Sequence, residues 1–238
     1  MYGLMYKDLA VNKKNLLILF GGFLLMHILQ FLGGGELEDE NAAFLITAMS
    51  VAMAFMISGA AESCLFSADE RKKFAFWVIS SQTGVKALVG AKYLFVFALA
   101  VLSVVLSISI NALSIDLAGN AANSSALCIM LFYVQLFLRG VEIPFLYAFG
   151  SKRGNNVRAV IMMTVALAVS VYLLFGDISS FGSLEDMWKR IFDFLDTEQS
   201  PAVIITISVM GLSVFPLYYL SYVISCKVYK RGVNSYDR

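Results

Sequence analysis

Residues 67–92 read SADERKKFAFWVISSQTGVKALVGAK, a basic and amphipathic stretch between two long apolar segments of the chain. The charged run Glu70 to Lys73 is followed by an aromatic-rich piece, Phe74 to Ile79. A polar turn at residues 80–84 separates this piece from a second short helical piece that ends near Lys92. Apolar anchors beside a charged rim are typical of helices that dock on a partner, so we expect this stretch to contact one. Alternatively, its aromatic side chains only occupy the headgroup layer of a membrane.

The composition indicates an integral membrane protein. Of the 238 residues, 59% are hydrophobic and only 15% are charged, and the mean hydropathy is +0.77, whereas about a quarter of the residues of a soluble domain are charged. The net charge of +1 argues against a nucleic-acid partner, because phosphate binding needs an excess of Lys and Arg. Cys64, Cys128 and Cys226 lack the spacing of a metal site or a disulfide framework, so we expect no metal site and cysteines that are small buried or lipid-facing residues.

Six apolar segments are long enough to cross about 30 Å of hydrocarbon, which needs about 20 helical residues. They are residues 16–31, 42–66, 93–115, 126–149, 159–175 and 202–228. Ser200 and Pro201 favour a helix start just before the last segment. The sequence therefore predicts an all-α membrane protein with six transmembrane helices in a single domain, residues 1–238.

The basic residues predict the orientation of these spans. Fifteen of the 18 lie in the amino-terminal stretch, in the loop between the second and third spans at residues 67–92, in a loop at residues 150–158 or after Cys226. The connections at residues 33–41 and 116–125 contain no basic residue. Because positive residues stay on the cytoplasmic side, we expect both termini in the cytoplasm.

Two shorter amphipathic segments are predicted outside the spans. Residues 1–14 have Leu4, Met5 and Leu9 on one side and charges elsewhere, which favours a helix in the cytoplasmic interface over a cleaved signal peptide. Residues 183–196 form an apolar stripe that is too short and too charged to span a membrane. We expect them to be an outer amphipathic helix, either a gate over a translocation path or a packing cover. The stripe consists of Leu184, Met187, Trp188, Ile191, Phe192 and Leu195.

Three ionisable residues fall inside the predicted spans. Arg139 and Glu142 lie at i and i+3 in the fourth span, and Glu62 lies towards the inner end of the second. Charges at membrane depth are costly unless they are paired or wet. We expect either an intramembrane charge network of all three that couples spans two and four, or an ion pair that only fixes helix packing. Pro144 is expected to loosen the fourth span.

Several segments together resemble permease subunits of type-2 ABC exporters. The resemblance rests on the Asp69-Glu70-Arg71 opening, the segment Val85 to Tyr93, the segment Pro144 to Gly150 with its following Lys152-Arg153 turn, and the two amphipathic segments. The chain looks most like a small Gram-positive branch that exports amphipathic peptides or confers immunity to them, including phenol-soluble modulin exporters. It departs from that pattern at Gln82, where the family commonly has proline.

The resemblance implies a permease of the bacterial plasma membrane that moves amphipathic or hydrophobic peptides, such as phenol-soluble modulins or bacteriocin-like peptides, out of the cell. Two copies of a separate ATPase subunit would bind ATP and Mg²⁺, and a second permease copy or homologue would complete the assembly. The chain has no Gly-rich phosphate loop with Lys and Ser/Thr, so we expect neither enzymatic activity nor a cofactor in this subunit. The residues expected to contact the ATPase are Glu70, Arg71, Lys72, Lys73, Phe74, Phe76, Trp77 and Ser81.

Other functions remain open at this point. The cargo could be a lipid-like or drug-like molecule. An intramembrane enzyme would need a converging nucleophile and base or a set of metal ligands, and the chain has one histidine, His27. We expect His27 to be an interfacial or hydrogen-bonded residue. An ion-driven carrier is weakly indicated, since no inverted repeat is evident.

Overall fold

A computed structural model describes residues 2–34, 48–56, 66, 84–118, 125–175 and 201–234. The described residues are helical, in agreement with the predicted all-α class. Residues 48–56 form a short stretch of helix. The long helices are α1 (Tyr2–Gly34), α2 (Gly84–Ala118), α3 (Ser125–Phe175) and α4 (Pro201–Asn234).

Four segments of the described chain are long and apolar enough to cross a membrane: Gly3–Ile28, Gly84–Leu113, Ser125–Gly150 and Pro201–Arg231. They coincide with the first, third, fourth and sixth predicted spans. The second predicted span is described only at residues 48–56 and Phe66, and the fifth forms the last part of α3. The number of six spans and the orientation stay predictions.

Helices α1 and α2 run in the same direction. Asp8 of α1 contacts Lys92 near the start of α2, and His27 contacts Ser107 further along both helices. The chain between them must therefore return along the bundle, as the second predicted span requires. Its described residues fit this return, since Phe55 packs in one cluster with Phe132 whereas Phe66 contacts the ring of Tyr147.

The first half of α3 and helix α4 are also parallel, and they share the most extensive helix contact of the described chain. Along both helices, Gly211 faces Tyr133, Gly140 faces Tyr218, and Tyr147 faces Tyr229. At Gly211 an added Cβ would lie 3.0 Å from the hydroxyl oxygen of Tyr133, so glycine lets this ring approach the backbone. The chain between Gly150 and Pro201, which includes the second half of α3, therefore has to return along the bundle.

Helix α3 is interrupted at Gly150 and not at Pro144. Gly150 has φ 79° and ψ 165°, a conformation in the positive-φ region that glycine tolerates without a steric penalty. This break agrees with the predicted end of the fourth span. The expected loop at residues 150–158 is wrong, because the backbone resumes a helix directly after Gly150.

Two further boundaries differ from the prediction. Helix α1 is continuous, so residues 1–14 are joined to the first span and do not form a separate interfacial helix. Helix α2 begins at Gly84, so the second helical piece of residues 67–92 is the first part of the third span. Its side chains Val85, Leu88, Val89 and Lys92 are buried in the bundle, which removes them from a docking surface.

The described helices bury polar side chains and expose apolar ones. Asp8, His27 and Asn111 are almost fully buried, whereas Ile18 and Leu212 are among the most exposed side chains. This distribution suits a bilayer, where lipid solvates the apolar surface and polar groups must find partners inside the protein.

Candidate functional site

Most predicted site residues lie outside the described residues, and their roles stay predictions. Outside are Glu62 of the charge network; Glu70, Arg71, Lys72, Lys73, Phe74, Phe76, Trp77 and Ser81 of the docking stretch; and Leu184, Met187, Trp188, Ile191, Phe192 and Leu195 of the outer helix. The structure does describe Arg139 and Glu142, and it describes Phe66 before residues 67–83 and helix α2 after them.

Arg139 and Glu142 form an ion pair on α3, as their spacing predicts. Nη1 of Arg139 contacts Oε2 of Glu142, and only 6% and 8% of the two side chains are exposed. A buried pair of this kind neutralises two charges that would be costly at membrane depth if they were separate.

A second polar cluster lies beside this ion pair on α3, where Pro144 follows Gly140 by four residues. Proline has no backbone N–H, so Pro144 cannot donate to the carbonyl of Gly140, four residues earlier. The hydroxyl of Ser221 on α4 donates to this carbonyl instead. A side chain of a neighbouring helix thus supplies the hydrogen bond that the proline removes, and the φ/ψ angles of α3 stay helical until Gly150.

Helix α2 joins the same cluster through Tyr93. The hydroxyl oxygen of Tyr93 lies 2.6 Å from Oγ of Ser221 and 2.8 Å from Oγ of Ser225. Because Ser221 donates to Gly140, it accepts the Tyr93 proton, and Ser225 donates to Tyr93. Tyr93, Gly140, Ser221 and Ser225 therefore form a continuous hydrogen-bonded chain through three helices, which we call the three-helix clasp.

The three-helix clasp was not foreseen from the sequence. Its signal is the combination of an intramembrane proline with two serines four residues apart on another span. Neither the proline nor the pair of serines alone indicates which helix the serines face.

A third polar cluster joins α1 to the start of α2. The Nζ atom of Lys92 lies 3.0 Å from Oδ2 of Asp8, and both side chains are 1–2% exposed. The half-buried Lys7 approaches Oδ1 of Asp8 at 3.4 Å, and the Asn12 amide donates to the Asp8 carbonyl at 3.0 Å. The Lys92 ammonium also lies 5.7 Å from the centre of the Phe66 ring, within cation–π range.

The two chain segments that flank residues 67–83 enter one apolar core. Phe66 precedes residues 67–83, which we call the docking stretch from here on, and Val85 and Val89 follow them. All three belong to a single cluster of buried side chains. The remaining members of this cluster are Tyr93, Phe95, Val96, Ile143, Leu146 and Cys226. Both ends of the docking stretch are therefore fixed to α2, α3 and α4.

His27, Cys128 and Cys226 were also singled out and are described by the structure, whereas Cys64 lies outside the described residues. His27 is buried, its Nε2 lies 3.0 Å from Oγ of Ser107, and its ring packs edge-on against Phe23. This agrees with the expectation of a hydrogen-bonded histidine. Cys128 and Cys226 are buried, as expected.

The three-helix clasp makes a prediction about coupled substitutions. In the natural chain, Ser221→Ala is expected to destabilise the fold by about 1 to 3 kcal/mol, because the buried Gly140 carbonyl loses its donor. In a Pro144→Ala background the new backbone N–H can donate to this carbonyl, so the cost of Ser221→Ala should fall by about 1 kcal/mol. Unfolding in mixed micelles, followed by circular dichroism, measures this double-mutant cycle.

Ser208→Ala is the matched control on the same helix. Ser208 is exposed and donates only to the carbonyl of Ile204 in its own helix, so its replacement should change stability by less than about 0.5 kcal/mol in both backgrounds. Strictly additive effects of the Ser221 and Pro144 substitutions would contradict the role assigned to Ser221.

The family comparison covers nearly the whole chain. Residues 3–230 match the family described as "ABC-2 family transporter protein". No curated protein and no solved structure matches the chain. The apolar helices, their buried polar contacts and this match agree with one another: the chain belongs to the ABC-2 transporter family, as a multi-pass membrane component of an ABC transporter.

Proposed function

We propose that this chain is the permease subunit of an ATP-driven exporter of amphipathic or hydrophobic peptides, such as phenol-soluble modulins or bacteriocin-like peptides, in a bacterial plasma membrane. In this proposal six helices cross the membrane and both termini are cytoplasmic. The parallel directions of α1 and α2, and of the first half of α3 and α4, support this number, because each pair requires the intervening chain to cross back.

Two copies of a separate ATPase subunit bind ATP and Mg²⁺ and dock on residues 67–83. The charges of Glu70, Arg71, Lys72 and Lys73 form a rim around the anchors Phe74, Phe76 and Trp77, with Ser81 at the end of the contact. Residues 84–92, which belonged to the docking stretch in the sequence prediction, are part of the bundle and transmit the motion.

The observation that carries this proposal is the anchoring of both flanks of residues 67–83. Phe66 on one side and Val85 and Val89 on the other are packed in the same core cluster. A close-packed core transmits displacement and does not absorb it. A movement of the loop caused by a nucleotide-driven partner would therefore shift α2, α3 and α4 together.

A second permease copy, identical or homologous, supplies the other wall of the transport path. The buried charges of the described helices are engaged within the chain, in the pairs Asp8–Lys92 and Arg139–Glu142. A transport path wide enough for a peptide forms more readily at the interface of two such subunits than within one of them.

Two further elements complete the proposal. The outer helix at residues 183–196 acts as a gate over the path between the subunits. Glu62 joins Arg139 and Glu142 in a charge network that links the second and fourth spans close to the docking loop. The support for this network is the observed ion pair of its other two members.

The docking role is tested by replacing Phe76 and Trp77 together with alanine. The loss of two aromatic anchors is expected to weaken ATPase binding by about 2 kcal/mol, roughly thirtyfold in Kd. Co-purification of a co-expressed ATPase subunit measures binding, and peptide-stimulated ATP hydrolysis in proteoliposomes measures coupling. Both should fall, while membrane insertion of the chain is unchanged.

Tyr219→Ala with Leu220→Ala is the control for this experiment. Both side chains are exposed on α4, in a membrane-spanning segment far in sequence from the docking stretch. We expect this control to retain the ATPase. An unaltered complex in the Phe76 and Trp77 variant would refute the docking role, even if peptide transport itself were observed.

A further inference from the structure

Two polar contacts join helices α1 and α2 at different levels. The Asp8–Lys92 ion pair forms the first tie, and the His27–Ser107 contact forms the second. These ties are nineteen residues apart on α1, about 28 Å at 1.5 Å per residue. Between them lies a cleft of about 570 Å³, within the range of small-molecule sites.

The cation and the phenol hydroxyl that line this cleft lie on the side of the Asp8–Lys92 pair. Lys13 and Tyr6 lie on the part of α1 near the Asp8 tie. The other polar lining residue, Ser103, donates its hydroxyl proton to the Leu99 carbonyl at 2.8 Å. The remaining lining is apolar: Leu9, Ala10, Leu16, Leu17, Leu19, Phe20, Phe23, Leu99, Leu102 and Leu106. From Lys13 to Phe23 the cleft thus offers a cation followed by a mostly apolar surface.

The part of the cleft from Lys13 to Phe23 matches one leaflet of a bilayer. Ten residues of α1 separate Lys13 from Phe23, about 15 Å at 1.5 Å per residue. This equals half of the roughly 30 Å thickness of the hydrocarbon layer. At the far end Phe23 is buried and packs against His27, so the cleft ends near the His27–Ser107 contact.

The cleft opens towards the surroundings of the protein. Its lining residues Leu17, Phe20 and Leu102 are 59%, 42% and 48% exposed. In a membrane-spanning bundle this side faces lipid, so a chain from the bilayer can enter it laterally without crossing a polar barrier.

We infer that the cleft between α1 and α2 binds one anionic phospholipid of the leaflet at the Asp8 end. An acyl chain lies against the leucine and phenylalanine side chains from Leu16 to Phe23, and the phosphate sits at the Lys13 ammonium. An anionic headgroup complements this cation. Near a membrane surface the attraction of one lysine is sufficient for a measurable preference for anionic over zwitterionic lipids. The assignment concerns a resident lipid and is independent of the proposed cargo.

Native mass spectrometry of the full-length chain tests the headgroup preference. After delipidation, the protein is titrated with phosphatidylglycerol and with phosphatidylcholine of identical acyl chains. The natural chain is expected to bind phosphatidylglycerol about fivefold more tightly. Lys13→Gln should abolish this preference, whereas Lys14→Gln, an exposed neighbour that does not line the cleft, should preserve it. Equal affinities in the natural chain, or equal losses in both variants, would overturn the inference.

The inference that an acyl chain occupies the cleft is tested by a substitution that narrows the cleft. Leu102→Trp should weaken the binding of both lipids severalfold, because the larger side chain occupies the space of the acyl chain. Leu113→Trp on the same helix is the control, since Leu113 is similarly exposed but lies outside the lining. Unchanged lipid binding in the Leu102 variant would place the lipid elsewhere and overturn the assignment.

The occupant itself is identified by photo-cross-linking in native membranes. A photoreactive amino acid in place of Leu17, an exposed lining residue, is expected to give an adduct with the mass of a phospholipid. An adduct with the mass of a second copy of the chain, or of a peptide, would show that the cleft is a protein interface or a cargo site, and the inference would be wrong.

Discussion

Lys92→Met is expected to lower the free energy of unfolding by about 3 to 5 kcal/mol, because it removes one partner of a buried ion pair. The Lys92 and Asp8 side chains are 1% and 2% exposed, and the ammonium lies 3.0 Å from the carboxylate. Among the described residues, the cation that remains beside Asp8 after the substitution is the more distant and partly exposed Lys7. The loss is measured by unfolding the full-length chain in mixed micelles.

Two further variants separate this effect from a general effect of losing a lysine. Lys86→Met removes a charge from the same helix, but the Lys86 side chain is exposed, so we expect a change of less than about 0.5 kcal/mol. Asp8→Asn in the Lys92→Met background removes the stranded charge and should recover most of the stability. If the double variant were no more stable than Lys92→Met, burial of an unpaired carboxylate could not be the cause.

The parts of the fold that depend on composition along the chain were predictable. Residues 93–115, 126–149 and 202–228 were expected to be spans because of their length and hydropathy, and each lies within a long helix. The break at Gly150 follows the end of an apolar segment, and glycine permits the required φ angle. The Arg139–Glu142 pair is local, so its i, i+3 spacing was sufficient to predict it.

The face that each helix turns inward was not predictable from the same signals. In α1 the buried side chains include Asp8, Asn12, Phe23 and His27, whereas Leu9 and Ile18 are exposed. An amphipathic pattern identifies the inner face of a soluble helix, because water solvates the polar side. In a bilayer the surroundings are apolar, so polar side chains turn inward and the usual inference from the pattern is reversed.

Contacts between distant spans were also not predictable from the sequence. The acceptor left by Pro144 could be expected, but its donor, Ser221, lies 81 residues away from Gly140. The partner of Asp8 was missed for the same reason: Lys92 was assigned to a cytoplasmic loop by its sequence position, and only the packing of α1 on α2 shows it to be buried. Which helices are neighbours must be known before such pairs can be named.

Arg139→Leu is expected to destabilise the chain by about 3 to 5 kcal/mol, since it removes the cation that is paired with the buried Glu142 carboxylate. Both side chains lie in the membrane-spanning part of α3, where water cannot solvate the remaining charge. Arg153→Leu is the matched control, because Arg153 belongs to the same helix but is exposed. Its effect should stay below about 0.5 kcal/mol.

The double variant Arg139→Leu with Glu142→Leu decides whether the pair serves transport or only packing. Replacement of both charges by apolar side chains should restore most of the stability, because no buried charge remains. If Glu62, Arg139 and Glu142 form a coupling network, ATP-driven peptide transport in proteoliposomes should remain impaired in this stable variant. Full recovery of transport together with stability would show that the ion pair fixes helix packing and takes no part in coupling.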